Sequence, residues 1–549
     1  MSAVSLLDEK HALQWSSART VRGRNDKGGN SFEVDRIRQY ATRIHSLSLS
    51  NHQLFNGRYL RPLANFLSRY DASREETGDG PTLAAICYYE ICNRHIAKRY
   101  TCESTNEFLN AQKIRATQHG IYFLTGSPSP DWLNCLGSGL NVPPAFWTSH
   151  LDFFVGRGQE EYCRRSALLA APQVISLCIP SVVFVGAPGR HLSQEQLQVA
   201  RRQGKQEIHS RLQRCRRSPL PTSLYRTLNV HRGDLLSVEQ KVTMLLLPPK
   251  QSQSYDTQQQ WSVIVYTDSS TASGGLEDIL SRVEHFRDKM KLRFCPLALS
   301  LAGSGTLSQD SLDLQSAEHE SDVLSQLASE YDSVLRSPIE THRPFDALAG
   351  IFEVALLSTV SLTSSLEEII DEQLERFSQP AEEVFEYATS LTFQVHRGLL
   401  NRQVGQLKQI RHLIHSQGGP QWLLGGQFAF PERSPTWEHL LASTEQLLEQ
   451  VESLLGKCDQ GEVLVDKRRS SEEFHKSNYQ AQLILRLTHI TTFATIVLLP
   501  LSILTSVFGM NFQEFDAETL LNIWVWGASA AGCTALSLAF WWYFMKHQG

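Results

Sequence analysis

The stretch from Thr488 to Asn511, THITTFATIVLLPLSILTSVFGMN, limits what this chain can become more than any other. No Asp, Glu, Lys or Arg occurs between Leu487 and Gln513. A helix there spans about 30 Å or more at about 1.5 Å per residue, enough to cross the hydrocarbon of a bilayer. Its polar residues are ordered: Thr488, Thr492, Thr495, Leu499, Ser502 and Ser506 step by four, three, four, three and four. At 3.6 residues per turn that spacing puts all six on one stripe, Leu499 being its one apolar member. The opposite face, Ile490, Phe493, Val497, Leu501, Leu504 and Phe508, is hydrocarbon.

A helix hydroxylated on one side and apolar on the other suits a bundle around a wet axis. Ser and Thr in membrane helices also bond back to a carbonyl one turn earlier. Back-bonding does not require a stripe, however, and five hydroxyls in register favour a pore lining. One stripe cannot enclose water, so several copies must bundle. Asn478, Ala481, Leu485 and Thr488 carry the seam upstream in the same three-four alternation. From Pro435 to Phe508 no Pro-Gly cluster ends the helical pattern, and Gly456 and Gly461 are only weak points. The expectation is a rod of about 110 Å.

A second span, Leu520 to Met545, follows Glu514, Asp516 and Glu518. Trp524 and Trp526 mark one end and Trp541, Trp542 and Tyr543 the other, as at bilayer interfaces. Its middle, GASAAGC from Gly527 to Cys533, would let it lie close against the first span. Lys467, Arg468, Arg469, Lys476 and Arg486 precede the first span and Lys546 follows the second, whereas the connecting loop has no Lys or Arg. By that asymmetry both termini face the cytosol.

The remainder reads as water-soluble. Of 549 residues 41% are hydrophobic and the net charge is -5, which gives no general argument for a nucleic-acid partner. The basic run from Arg201 to Ser218 reads as a solvated helix or loop. Ten scattered cysteines without a C-x-x-C pair propose neither a zinc site nor disulfides and suit a reducing compartment. Only two segments are expected to pass the length test for a span, both within the last 62 residues. The first thirty residues lack a signal-peptide core, and Asp8, Glu9 and Asp26 weigh against a mitochondrial presequence.

Residues 1–35 read as a loose tail, and Val34 to about Arg99 as mostly helical. Apolar runs at 120–124, 174–185, 241–247 and 261–267 read as strands of one sheet, buried on at least one face. Interleaved helical segments make 36–340 an α/β domain. TDSSTASGG and LAGSGTLSQDSLDLQS are expected to be surface loops. Antiparallel helices occupy 341–433, where His412 and His415 are expected to face solvent. A stalk helix over 434–487 leads into the first span, 488–512; the external loop is 513–518, and the second span and tail are 519–549.

PLSILTSVFGMNF resembles the signature of the CorA-type divalent metal-ion channel family, in which Gly-Met-Asn closes the first of two carboxyl-terminal membrane helices. Gly509, Met510 and Asn511 match it. The resemblance implies a homopentameric funnel: cytosolic α/β domains outside, stalk helices inside, first spans around the axis. It makes Gly509, Met510 and Asn511 the selectivity filter, with a ring of Asn511 carboxamides holding a hydrated Mg2+ without stripping its water. Glu514, Asp516 and Glu518 either concentrate cations at the mouth or form an ordinary polar loop. Glu449, Glu452, Asp459, Glu462 and Asp466 are either an inter-subunit ion sensor or a solvated face.

The implied activity is passive Mg2+ transport, with no cofactor, lipid and divalent cations as partners, and the plasma membrane as its place. The alternative is a non-conducting or differently selective anchored protein acting through its cytosolic domain. No P-loop, G-x-S-x-G or H-E-x-x-H motif proposes an enzyme. Two departures stand out. Leu485 and Arg486 occupy the place of the family's Asn-Glu pair, and the end, MKHQG, is only weakly basic.

Overall fold

The computed structural model describes residues 29–509 and 521–548, apart from several stretches between elements, the longest being 70–83, 155–172, 248–259, 296–322 and 423–434. It divides into two compact units, Met1–Gln379 with Leu391–Asp459, and Pro380–Ser390 with Gln460–Gly549.

The first unit is organised by an eight-stranded sheet: β1 (Ala84–Cys92), β2 (His95–Cys102), β3 (His119–Gly126), β4 (Val174–Val185), β5 (Thr227–Val230), β6 (Leu235–Leu247), β7 (Ser262–Thr267) and β8 (Leu292–Phe294). The order is β8-β4-β6-β7-β3-β1-β2, with β5 also paired to β6. Every residue of β6 is buried, the mark of a strand covered on both faces. All pairings are antiparallel except β3 with β7. The expected sheet-and-helix domain is present, but its connectivity is that of antiparallel neighbours rather than repeated parallel crossovers.

One face is covered by α1 (Gly29–Leu49), α2 (Arg61–Leu67), α4 (Pro130–Leu140) and α5 (Pro144–His150); α3 is Thr105–Ile114. Ile37, Tyr40 and Ile44 recur at helical spacing on α1 and are buried. Tyr40 donates to the Val142 carbonyl at 2.7 Å and accepts from the Trp147 indole at 2.9 Å. Gly137 of α4 lies so close that a Cβ would come within 2.2 Å of the Tyr40 ring. α6 (Gln194–Cys215) and α7 (Gly275–Leu280) make a second core with Val183, Leu228, Val230, Leu236 and Val238.

The polar centre of this unit was not legible as such. Asp268 accepts from His150 Nε2 at 3.0 Å, Arg226 Nε at 2.5 Å, Arg226 Nη2 at 2.8 Å and the Lys241 amide at 2.8 Å. Arg226 also reaches Asp152 at 2.8 Å, and Lys241 Nζ reaches it at 2.7 Å. Burial alone would raise the Asp268 carboxyl, but the charge of Arg226 and the hydrogen bonds from Arg226 and His150 outweigh it and hold it well below the carboxylate range. Burial pushes His150 down to about 4, so its imidazole is neutral at pH 7. The set Asp268, His150, Thr243 has the connectivity of a catalytic triad, with His150 Nδ1 2.9 Å from the Thr243 hydroxyl. His150 and Thr243 are wholly buried, so no substrate can meet that hydroxyl. This is a structural knot.

Several expectations need correction. Val34–Arg99 is not mostly helical: AAICYYEIC and HIAKRYTC pair as the β1–β2 hairpin, stabilised by Tyr88 opposite Tyr100 and Tyr122. TDSSTASGG is not wholly a surface loop, since Asp268 and Ser269 are fully buried, their polar groups met by Arg226, His150 and Thr267. The helix at Gly29 begins inside the expected tail, of which residues 1–28 lie outside the described residues. LAGSGTLSQDSLDLQS lies outside them as well. The basic run is not simply solvated: Arg211 is buried and donates to Asp278 at 2.6 Å.

The helical part of the first unit comprises α8 (Val323–Ser329), α9 (Tyr331–Val334), α10 (Ala349–Ser378), most of α11 (Glu386–Ser416) and the beginning of α12 (Pro435–Gly509). Trp437 anchors the start of α12: its ring stacks on Phe345 at 4.6 Å and its indole donates to Asp346 at 2.7 Å. Gly418, at φ +77°, is confined by the same group, for a Cβ there would lie 2.7 Å from Trp422 and 2.9 Å from Phe345. Truncating a tryptophan so buried costs about 3–5 kcal/mol.

α10 also overturns the expectation that only the last two segments could span a membrane. Among the described residues Pro344–Glu375 is long and apolar enough, yet 78% of its most apolar window is buried inside the protein. It is a core helix.

Candidate functional site: the carboxyl-terminal helices

The second unit consists chiefly of the remainder of α12 and of α13 (Leu521–Gln548). α12 runs as one 75-residue helix from Pro435 to Gly509. Pro500 sits inside it, as proline does in membrane helices where neighbouring groups satisfy the freed carbonyl.

Thr488, Thr492, Thr495, Leu499, Ser502 and Ser506 are all exposed. Thr488 donates to the Ile484 carbonyl at 2.8 Å, Thr495 to that of Thr491 at 2.8 Å and Ser502 to that of Leu499 at 3.0 Å. Thr491 and Thr505, off the stripe, do the same at 2.8 and 2.9 Å. Back-bonding thus serves hydroxyls on and off the stripe alike. A hydroxyl that donates in this way keeps its lone pairs free, and lone pairs are what a cation's water shell would meet.

The side of α12 away from the stripe meets α13. Phe493 packs against Trp541, ring centroids 5.1 Å apart. Gly527, Ser529, Ala530, Cys533, Thr534, Ser537 and Trp541 are the partly covered residues among those described on α13, and all but Ser529 recur at helical spacing. Small side chains therefore do face the contact, although a Cβ at Gly527 or Gly532 would meet nothing. Large apolar side chains stay uncovered on both helices, among them Leu485, Leu487, Ile490, Leu498, Ile503, Trp524, Leu536 and Phe540. So much apolar surface needs lipid or further protein against it.

Gly509 is the last residue of α12. Met510, Asn511, Glu514, Asp516 and Glu518 lie outside the described residues. Two of the stalk acids have partners within the first unit: Glu452 meets Lys408 at 3.1 Å and Asp459 meets Arg397 at 3.2 Å. Lys457 bridges Glu367 at 3.1 Å and Asp371 at 2.8 Å. Glu449 and Asp466 are exposed, as are His412 and His415, and Glu462 is half-buried.

Residues 317–547, which include the exposed stripe and both carboxyl-terminal helices, match the family model described as "CorA-like Mg2+ transporter protein". Over those residues the chain is similar to that family. The match is to a transporter family, and the eight-stranded sheet lies outside it. Among solved structures, the CorA magnesium transporter from Methanocaldococcus jannaschii aligns with 66% of this chain and 96% of its own, at 11% identity and a TM-score of 0.24. No curated protein matches the sequence.

Proposed function

We propose that the chain is one subunit of a channel-like, homopentameric transporter that passes divalent cations, Mg2+ foremost, across a membrane. The observation that carries this reading is the exposed stripe from Thr488 to Ser506, which runs to Gly509, the first residue of Gly-Met-Asn, inside the CorA-like region. Five copies would turn the stripes to a common axis and the apolar sides toward α13 and lipid. Asn511 would supply a ring of carboxamide oxygens to the hydrated ion, with Gly509 and Met510 shaping the mouth. Both termini would lie in the cytosol and the Glu514 loop outside, most naturally at the plasma membrane.

No charged residue interrupts the stripe, which argues against a proton-coupled pump. At about 2.3 kcal/mol per charge per 100 mV, a divalent ion entering a compartment held 100 mV negative gains about 4.6 kcal/mol. That gradient suffices for uptake. The purified protein in vesicles should admit Mg2+ under an inside-negative potential and stop when the potential is collapsed. Uptake that ignores the potential, or a protein stable only as a monomer, would overturn the reading.

Arg486 favours a second reading. It stands, exposed, where family members carry an acid just before the membrane, and a ring of five guanidinium groups repels divalent ions. A weakly conducting or differently selective protein (for zinc, cobalt or nickel) would regain Mg2+ flux in Arg486→Glu.

A further inference from the structure

α6, the β5–β6 turn and α11 meet at a cluster that the transport reading does not use. Arg201 of α6 is only 7% exposed. Its Nε donates to the Val230 carbonyl at 2.7 Å and its Nη1 to the Thr392 hydroxyl at 3.3 Å, while Nη2 has no hydrogen-bond partner. No carboxylate pairs with it among the described residues. His231, 2% exposed, and His396, fully buried, lie nearby with ring centroids 5.4 Å apart and the rings tilted by 38°. His231 Nδ1 and both nitrogens of His396 are buried without partners.

The protonation of the group follows from its neighbours. Asn229 donates to the Ser237 hydroxyl at 3.4 Å, and His231 Nε2 lies 2.8 Å from the same hydroxyl. In the tautomer whose Nε2 accepts the hydroxyl proton, the imidazole proton sits on the free Nδ1, as a donor. Burial lowers His231 to about 3, and His396 is likewise held neutral by burial and by the nearby charges. Burial also lowers Arg201, to about 10, so it remains a cation at pH 7. The cluster therefore holds one positive charge, unpaired donors and no acid, in a place that water does not screen.

We propose that Arg201, His231 and His396 form a buried site for a small monovalent inorganic anion of chloride size, clasping α6 and the β5–β6 turn to α11. One negative charge balances the single guanidinium, whereas a phosphate dianion would leave a net buried charge. Water could satisfy the donors but not the charge.

The test is denaturant unfolding of the full-length protein in detergent, with chloride replacing gluconate at constant ionic strength. A saturable stabilisation is expected: chloride at ten times its dissociation constant shifts the unfolding equilibrium about elevenfold. Bromide should replace chloride and phosphate should not. Arg201→Met should abolish the response, and His396→Leu, which keeps the charge and removes one donor, should weaken chloride about tenfold. No saturable response in the wild-type protein overturns the site, whether or not the variants fold. An equal response in Arg201→Met, or stabilisation by phosphate alone, overturns it too. None of these readouts depends on ion flux.

Discussion

Replacing Asp268 by Asn keeps the outline of the side chain and removes its charge, and the consequence can be worked from the four hydrogen bonds it accepts. In the wild-type protein the carboxylate serves His150, two nitrogens of Arg226 and the Lys241 amide, all at 2.5–3.0 Å. An Asn oxygen can accept about two such bonds, and its amide group turns a donor toward donors. Breaking a buried, hydrogen-bonded ion pair from one side costs about 3–5 kcal/mol. Arg226 keeps Asp152 at 2.8 Å, a carboxylate one-third exposed, which moves the expected loss toward the lower figure. At about 1.4 kcal/mol per factor of ten, opening of this sheet should become at least a hundredfold more frequent.

Hydrogen exchange over Leu235–Leu247 is the direct readout, because the Lys241 amide bonds Asp268 itself and most of β6 is paired on both sides. Lys457→Met is the control. Its ion pairs with Glu367 and Asp371 lie on the surface, where such pairs contribute about 0–1 kcal/mol. If exchange in β6 rises less than tenfold in Asp268→Asn, the buried charge does not hold the sheet, and the argument fails.

Acidification should weaken the same unit. His150 and His231 titrate near 4 and 3 when folded, against about 6.5 when unfolded, so their contribution is full above pH 6.5 and is lost between pH 6.5 and 3. At pH 5 each removes about 2 kcal/mol, and His396 acts in the same direction; a urea midpoint unchanged between pH 7.5 and 5 would contradict this. Asn511→Ala should cut Mg2+ flux more than tenfold with the pentamer intact, because losing one or two contacts of about 1.5–3 kcal/mol suffices. Thr519→Ala, just past the loop, is its control, and lost flux with a broken pentamer would make Asn511 a structural cap. Cysteines placed at Thr492 and Ser506 should block flux when modified by a polar reagent, and one at Ile490 should not; equal block at all three would remove the stripe from the path.

The sheet was legible where strands carry unbroken apolar runs. β4 and the second half of β6 announce themselves in VISLCIPSVVFV and KVTMLLL. β1 and β2 did not, because Tyr, Cys and Ala mixed with Lys, Arg and Glu give no clear period, and their state is decided by cross-strand partners far off in sequence. Asp268 failed for a related reason. TDSS reads as a turn until Arg226, 42 residues earlier, and His150, 118 residues earlier, arrive beside it. Polar residues that are buried because a distant partner meets them leave no local signal.

The hydroxyl stripe was legible, but α10 shows why a stripe alone could not decide its meaning. Ser358, Thr359 and Thr363 also lie along one side of an apolar helix, and Thr359 and Thr363 also bond back to carbonyls four residues earlier, at 2.8 and 2.7 Å. Composition treats the two helices alike. They part in what covers them, since those three residues are buried within the first unit while Thr488, Thr492, Thr495, Leu499, Ser502 and Ser506, and apolar side chains such as Ile490, Leu498 and Ile503, are exposed. An apolar helix with its hydroxyls buried has found its partners within the chain. One with its hydroxyls and hydrocarbon both uncovered needs two further environments, a polar one along the stripe and an apolar one elsewhere, and a ring of identical copies in lipid supplies both at once.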